Sequence, residues 1–160
     1  MPLLLLPSNT PELAAAKRLP PEERKAKILP FIRAWAESAA PFSGSDVYTG
    51  FAQSMALRKA TEAATRRFDY VLSPTAPIPA FDAELPSPTN DAERPFEHIA
   101  FTLPYNMSEQ PAASINCGYT SRGLPIGLQI AGRRFDDLGV LQISRAWEKM
   151  RPPQREWPTA

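Results

Sequence analysis

The sequence is poor in the residues from which many active sites are built. A single cysteine, Cys117, excludes an internal disulfide and a cysteine-based zinc cluster, and a lone thiol fits a reducing compartment. The cytoplasm is therefore the expected location. His98 is the only histidine, and no His-Glu-x-x-His spacing exists, so no metal site is expected. Seven glycines are scattered singly and build no phosphate-cradling loop, and no cofactor is implied. Neither Gly-x-Ser-x-Gly nor Ser-x-x-Lys occurs, which removes two familiar ways of activating a serine. Cys117 and His98 could in principle form a nucleophile and base. A cysteine alternating onto the apolar side of a strand is more simply read as a small hydrophobe. Charge of one sign is missing too: 18 Lys and Arg face 17 Asp and Glu, a net charge of +1, so a nucleic-acid partner is not expected. The longest apolar opening, Leu3 to Leu6, lies between Pro2 and Pro7 without a basic flank, too short for a signal or a membrane span. It reads as a truncated start.

What remains is 160 residues, 43% of them hydrophobic, enough for one domain with a core. The 19 prolines cluster between Pro74 and Pro95 and between Pro152 and Pro158, marking loops. Thr10-Pro11 opens a short helix to about Arg18. Pro20 and Pro21, followed by Glu22 and Glu23, start a second one reaching about Ala40, kinked or broken at Pro30. Ser43 or Ser45 caps a third, to about Arg67, whose Val47, Tyr48, Phe51 and Met55 stripe reads as core. Phe68 to Leu72 reads as a buried strand running into the Ser73-Pro74-Thr75-Ala76-Pro77 loop.

A hairpin-like pair follows. Ala113, Ile115 and Cys117 alternate with Ala112, Ser114 and Asn116. After Arg122-Gly123, Ile126, Leu128 and Ile130 alternate with Gly127, Gln129 and Ala131. The second face is small or weakly polar, suited to close approach. Asp136 and Asp137 open a last helix with Val140, Ile143, Trp147 and Met150 on one side, ending at Pro152. The segmentation is thus an N-terminal extension (1–19), a domain portion (20–152) and a tail (153–160).

One ordered string carries more information than any of these. Phe101-Thr102, Asn106, Gln110-Pro111-Ala112 and Gly123-Leu124-Pro125-Ile126-Gly127-Leu128-Gln129 succeed one another between residues 101 and 133. This string resembles the closing segment of the amidase-signature family, strongly from Phe101 onward and weakly from Pro20. The resemblance implies the C-terminal part of an α/β fold (α/β/α layers, mixed sheet): helices first, then a hairpin-like strand pair and a final helix. It also implies hydrolysis of a small-molecule carboxamide to carboxylate and ammonia or amine. The family uses a serine nucleophile, a second serine on a cis peptide, a lysine and a glycine-rich oxyanion loop, all upstream of this segment. No catalytic residue is therefore expected here, and the chain alone is predicted to be inactive.

Its contribution would be pocket wall. Thr75, Thr102 and Asn106 are the candidate substrate-binding residues, since their polar groups could orient an amide. The competing reading is that they satisfy backbone groups in turns. Glu109 stands where the family usually has glycine and Asn116 where it usually has proline, so the entry to the first hairpin strand is expected to differ. Ile99 occupies a position that tends to be acidic in glutamine-using tRNA amidotransferase subunits, which favours a plain amidase. The alternatives are part of such a protein, or a non-catalytic binding or assembly domain. Uncovered sheet edges further predict self-association.

Overall fold

The structure is a computed structural model and describes residues 21–155 except 90 and 92. The helix expected from Thr10 to Arg18 and the boundary at residue 19 lie outside the described residues. The described residues divide into two compact units, 21–50 with 81–96, and 51–80 with 97–155.

In the first unit, α1 (Pro21–Ala26) and α2 (Pro30–Glu37) are the broken form of the helix expected from Pro20, which ends at Glu37 and not at Ala40. Proline at the first turn of α2 lacks an N–H and forces Leu29 into an extended conformation (φ −51°, ψ 137°), so the break falls at Pro30 as the sequence suggests. The last turn of α2 is closed by the Ser38 backbone N–H, donating to the Ala34 carbonyl at 3.0 Å. Trp35, buried, meets the Phe96 ring edge-on at 5.0 Å between centroids.

Helix α3 (Gly44–Thr65) is the longest element. Ser43, not Ser45, caps it: its hydroxyl accepts from the Asp46 N–H at 3.2 Å, while the Asp46 carboxylate accepts from the Ser43 N–H at 2.8 Å. Hydrogen bonds from the Ser43 hydroxyl and N–H hold the Asp46 carboxyl below its ordinary range. The stripe expected to be core is not. Tyr48, Phe51 and Met55 are 76%, 55% and 62% exposed, Val47 is exposed as well, and no described residue of α3 is buried. Periodicity marks a face that could be covered, and among the described residues nothing covers it.

The second unit is built on a three-stranded sheet in the order β1-β3-β2. Strand β1 (Tyr70–Pro74) begins two residues later than the sequence suggests, leaving Phe68 exposed. Strands β2 (Ala112–Tyr119) and β3 (Pro125–Gly132) form the expected hairpin, and β1 pairs with the other side of β3. The α/β class holds, but all described pairings are antiparallel, so the mixed character expected of the sheet does not appear in these strands. Central placement explains why Ile130 and Ala131 are each only 1% exposed.

Alternation in β2 runs cleanly as far as Ile115 and then fails, because a bulge lies between Asn116 and Gly118. A bulge inserts one unpaired residue and shifts everything after it. Cys117 is that residue, and it is exposed rather than facing the apolar side as expected.

Directly paired residues share a face of a sheet. On one face lie Leu72, Ala113, Ile115, Leu128 and Ile130. Helix α5 (Asp137–Met150) contacts the sheet, with Val140 buried and Tyr70 O–H donating to the Asp136 carboxylate at 3.2 Å. Asp136 caps α5 by accepting from the Gly139 N–H at 3.1 Å. Ile143 and Trp147 are half-buried, but Met150, expected on the same side, is 72% exposed. Beyond α5, Arg155 of the tail packs on the hairpin, its guanidinium 4.5 Å from the Tyr119 ring centroid.

Candidate functional site

The other face of the sheet is polar. Ser73 pairs with Gln129 and Gln129 with Ser114, so all three side chains leave from that side. A buried amide must find partners or lose several kcal/mol. Gln129, 3% exposed, donates through Nε2 to the Ser73 hydroxyl at 3.0 Å and the Phe101 carbonyl at 2.9 Å. It thereby ties the segment that follows Phe101 to the sheet.

Thr75 lies just past the end of β1, where its N–H donates to the Gly127 carbonyl at 2.9 Å. Its Oγ1 is 2.6 Å from Ser114 Oγ, a hydroxyl pair held directly over Gly127. Glycine is needed there for space: a Cβ on Gly127 would stand 2.6 Å from Thr75 Oγ1 and 2.9 Å from Ser114 Oγ. This is the close approach that the small face of the hairpin suggests.

The pair sits in a cavity of about 500 Å³. Its polar residues are Thr75, Ser114, Asn116 and Thr120, and its remaining wall runs from Ala76 to Ala80 and across Pro125 and Ile126. Among the described residues no charged side chain lines it. Within a hydroxyl pair one hydrogen is spent on the mutual bond, leaving one hydrogen and several lone pairs to offer. Such a group can orient a neutral carbonyl or amide. It cannot by itself act as an activated nucleophile, since no base is among the lining residues.

Of the three candidate residues, the structure places Thr75 in this cavity and the other two elsewhere. Thr102 precedes α4 (Leu103–Ser108), and its hydroxyl donates to the Ile99 carbonyl at 3.1 Å, the turn-satisfying role. Asn106 lies within α4, exposed, and its N–H donates to the Thr102 carbonyl at 3.1 Å. Neither lines the cavity. His98 lies in the short 3₁₀ turn Glu97–Ile99, half-buried, and Cys117 is exposed on β2. Among the described residues no group of three or more His, Cys, Asp or Glu could hold a metal ion. Residue type and motif do not single out Ser114, and the motif string contains Gly127 and Gln129 without showing that they share its face. Their shared face is nonetheless visible in the alternation, and grouping residues by face finds them.

The rest of the motif string is structural. Gln110 Nε2 donates to the Gly132 carbonyl at 2.8 Å, and Gln110 Oε1 accepts from the buried Ser108 hydroxyl at 2.9 Å, locking the end of α4 to the end of β3. Glu109, where glycine is usual, adopts a left-handed conformation (φ 58°) that costs a side-chain-bearing residue about 1 kcal/mol. Its carboxylate bridges Arg58 on α3 and Arg134 after β3. Asn116, where proline is usual, stands at the bulge.

Fold and site together define an α/β chain with a sheet, a covering helix and an open cavity on the polar face of the sheet. A sequence-family model described as Amidase matches residues 11–141, and the chain belongs to that family, the amidase-signature family. A glutamyl-tRNA(Gln) amidotransferase subunit of Myxococcus xanthus is 44% identical over 86 residues, 54% of this chain but 17% of the relative. The crystal structure of the corresponding glutamyl-tRNA(Gln) amidotransferase subunit from Thermotoga maritima matches with a TM-score of 0.60 and 29% identity, covering 88% of this chain and 30% of that one. A bacterial aryl acylamidase of the amidase-signature family matches with a TM-score of 0.69 and 25% identity, over 86% of this chain and 30% of that one. The chain thus spans about a sixth of the length of the curated relative and under a third of each solved structure.

Proposed function

We propose that this chain forms the C-terminal pocket wall of an amidase-signature hydrolase acting on carboxamides, and has no catalytic activity alone. The observation that carries this reading is the Thr75–Ser114 hydroxyl pair over Gly127, set into a wall without charge. In the intact enzyme, water would cleave the amide C–N bond to carboxylate and ammonia or amine, with nucleophile and oxyanion donors supplied from outside this chain. The pair would orient the amide, and the Ala76–Ala80 side would receive its apolar flank. Thr102 and Asn106, which lie outside this cavity, would meet the substrate only where the rest of the enzyme extends the pocket toward α4.

A second reading, part of a glutamine-using tRNA amidotransferase, draws on the name of the curated relative. Against it stand Ile99 and the uncharged wall. The zwitterionic end of glutamine must be paired with charge when it is desolvated, and this wall offers none. The lone thiol fits a reducing compartment. Among the described residues no helix is long and apolar enough to cross a membrane. The two outer strands of the sheet and the exposed apolar residues of α3 fit self-association, and a monodisperse monomer in light scattering at micromolar concentration would refute that part.

The experiment is ammonia release from aliphatic and aromatic carboxamides by the purified chain, together with amide-resonance shifts on adding benzamide or glutamine. No release, with benzamide moving Thr75, Ser114 and Gly127 and glutamine leaving them still, is expected. Release abolished by Cys117→Ala or His98→Ala would overturn the non-catalytic assignment. Equal shifts with glutamine would favour the amidotransferase reading.

A further inference from the structure

The bulge in β2 places a residue on the cavity wall, and it is held by groups far away in sequence. Asn116 lines the cavity two positions from Ser114. Its side chain makes a closed ring with Gly118: Oδ1 accepts from the Gly118 N–H at 3.0 Å, and Nδ2 donates to the Gly118 carbonyl at 3.3 Å. Gly118 has φ 151°, at the edge of the range that residues with a side chain rarely adopt. The ring therefore fits this backbone.

Ladder pairing is locally interrupted at a bulge, so the peptide plane between Asn116 and Cys117 relies on bonds from outside the ladder as well as on this ring. Two donors distant in sequence also hold that plane. The Asn116 carbonyl accepts from Trp147 Nε1 at 3.4 Å and from Arg151 Nη1 at 3.1 Å. Trp147 lies on α5, and Arg151 is four residues on, the spacing that puts two side chains on one face. Just beyond, Tyr119 O–H and Gln154 Oε1 are 3.3 Å apart. One carbonyl thus takes two donors from the end of the chain, while its own residue forms part of the cavity wall.

We infer that Trp147 and Arg151 are positioning residues for the cavity: by donating together to the Asn116 carbonyl they hold the bulge that presents Asn116 beside the Thr75–Ser114 pair. Neither touches a ligand, and their action passes through one peptide plane. The effect on ligand binding rests on the carboxamide reading above; the effect on the bulge does not.

The test uses the whole chain with Trp147→Phe, Arg151→Met, the double variant, and Arg151→Lys as a conservative rescue. Hydrogen exchange of the Gly118 amide, which donates into the ring, is measured without ligand. Benzamide affinity is measured by titration of amide shifts. In the double variant Gly118 exchange is expected to rise at least about 5-fold while the Ile130 and Ala131 amides keep their protection. Benzamide affinity is expected to fall about 3- to 10-fold, the range for loss of one to two modest hydrogen bonds, with partial recovery in Arg151→Lys. Should the double variant lose protection at Ile130 as well, Trp147→Phe, which keeps an aromatic ring and loses only the donor, decides the matter by the same two readouts. Unchanged Gly118 exchange in folded variants overturns the inference. Faster Gly118 exchange in a chain whose wild type binds no benzamide upholds the bulge and rejects the carboxamide pocket.

Discussion

The β2–β3 hairpin and helix α3 carry apolar periodicity of similar clarity, yet they end differently. In the hairpin, Ile130 is buried in the central strand of a sheet that α5 contacts, whereas in α3 Tyr48, Phe51 and Met55 are exposed. The hairpin's partners lie within the same hundred residues: β1 precedes it and α5 follows at once. Nothing equivalent among the described residues lies over α3. A hydrophobic pattern therefore specifies a face to be covered, while the coverage depends on elements the pattern does not contain.

Two substitutions in the hairpin sharpen the comparison from the covered side. Ile130→Ala removes most of a fully buried side chain at the centre of the sheet, and is expected to cost about 2–5 kcal/mol in urea unfolding. A loss below about 1 kcal/mol would mean that the hairpin's covering is loose and the contrast with α3 overstated. Gly127→Val is smaller in effect. Its side chain must displace the Thr75 and Ser114 hydroxyls, costing about 1–3 kcal/mol and abolishing benzamide shifts. Binding retained in that variant would remove the hydroxyl pair from the site.

Element by element, legibility follows how local the determinants are. Pro30 and the Asp136 cap are readable because a missing N–H or a carboxylate three residues from an N–H acts within one turn. The hairpin is readable because its alternation and its Arg122-Gly123 turn lie together. The bulge at Cys117 is not, since it depends on Asn116 closing a ring with Gly118 while donors from α5 and Arg151 hold its carbonyl. Of the site, Thr75 stands out through its proline loop, but its partner Ser114 lies 39 residues on and meets it only because β3 stands between their strands. Thr102 looks equally polar in sequence. Its hydroxyl hydrogen goes to the Ile99 carbonyl, a bond that residue type alone does not foretell.

A pH experiment probes the covered face more gently. Burial, and then the Asp136 carboxylate, push the Tyr70 hydroxyl above its ordinary value of 10.0, so the folded chain favours the neutral phenol. The contribution to stability is then fully present below pH 10.0 and is lost as pH rises through the raised value. Wild type should lose stability on going to higher pH, and Tyr70→Phe should lose less. Identical alkaline profiles for the two would show that Tyr70 is not held against Asp136 in solution.

The smallest expected effect is the one that can break the comparison. Phe51→Glu places a charge at a position that is already 55% exposed, so the change in unfolding free energy should stay within about 0.5 kcal/mol. A loss well above about 1 kcal/mol would show that the α3 stripe is covered in solution, because a carboxylate is costly only where it is desolvated. Light scattering on the same two proteins separates the sources of such a cover. If wild type is an assembly and Phe51→Glu a monomer, a second copy supplies it through α3. If both assemble alike, the contact lies elsewhere, and the outer strands of the sheet become the place to put the next charge.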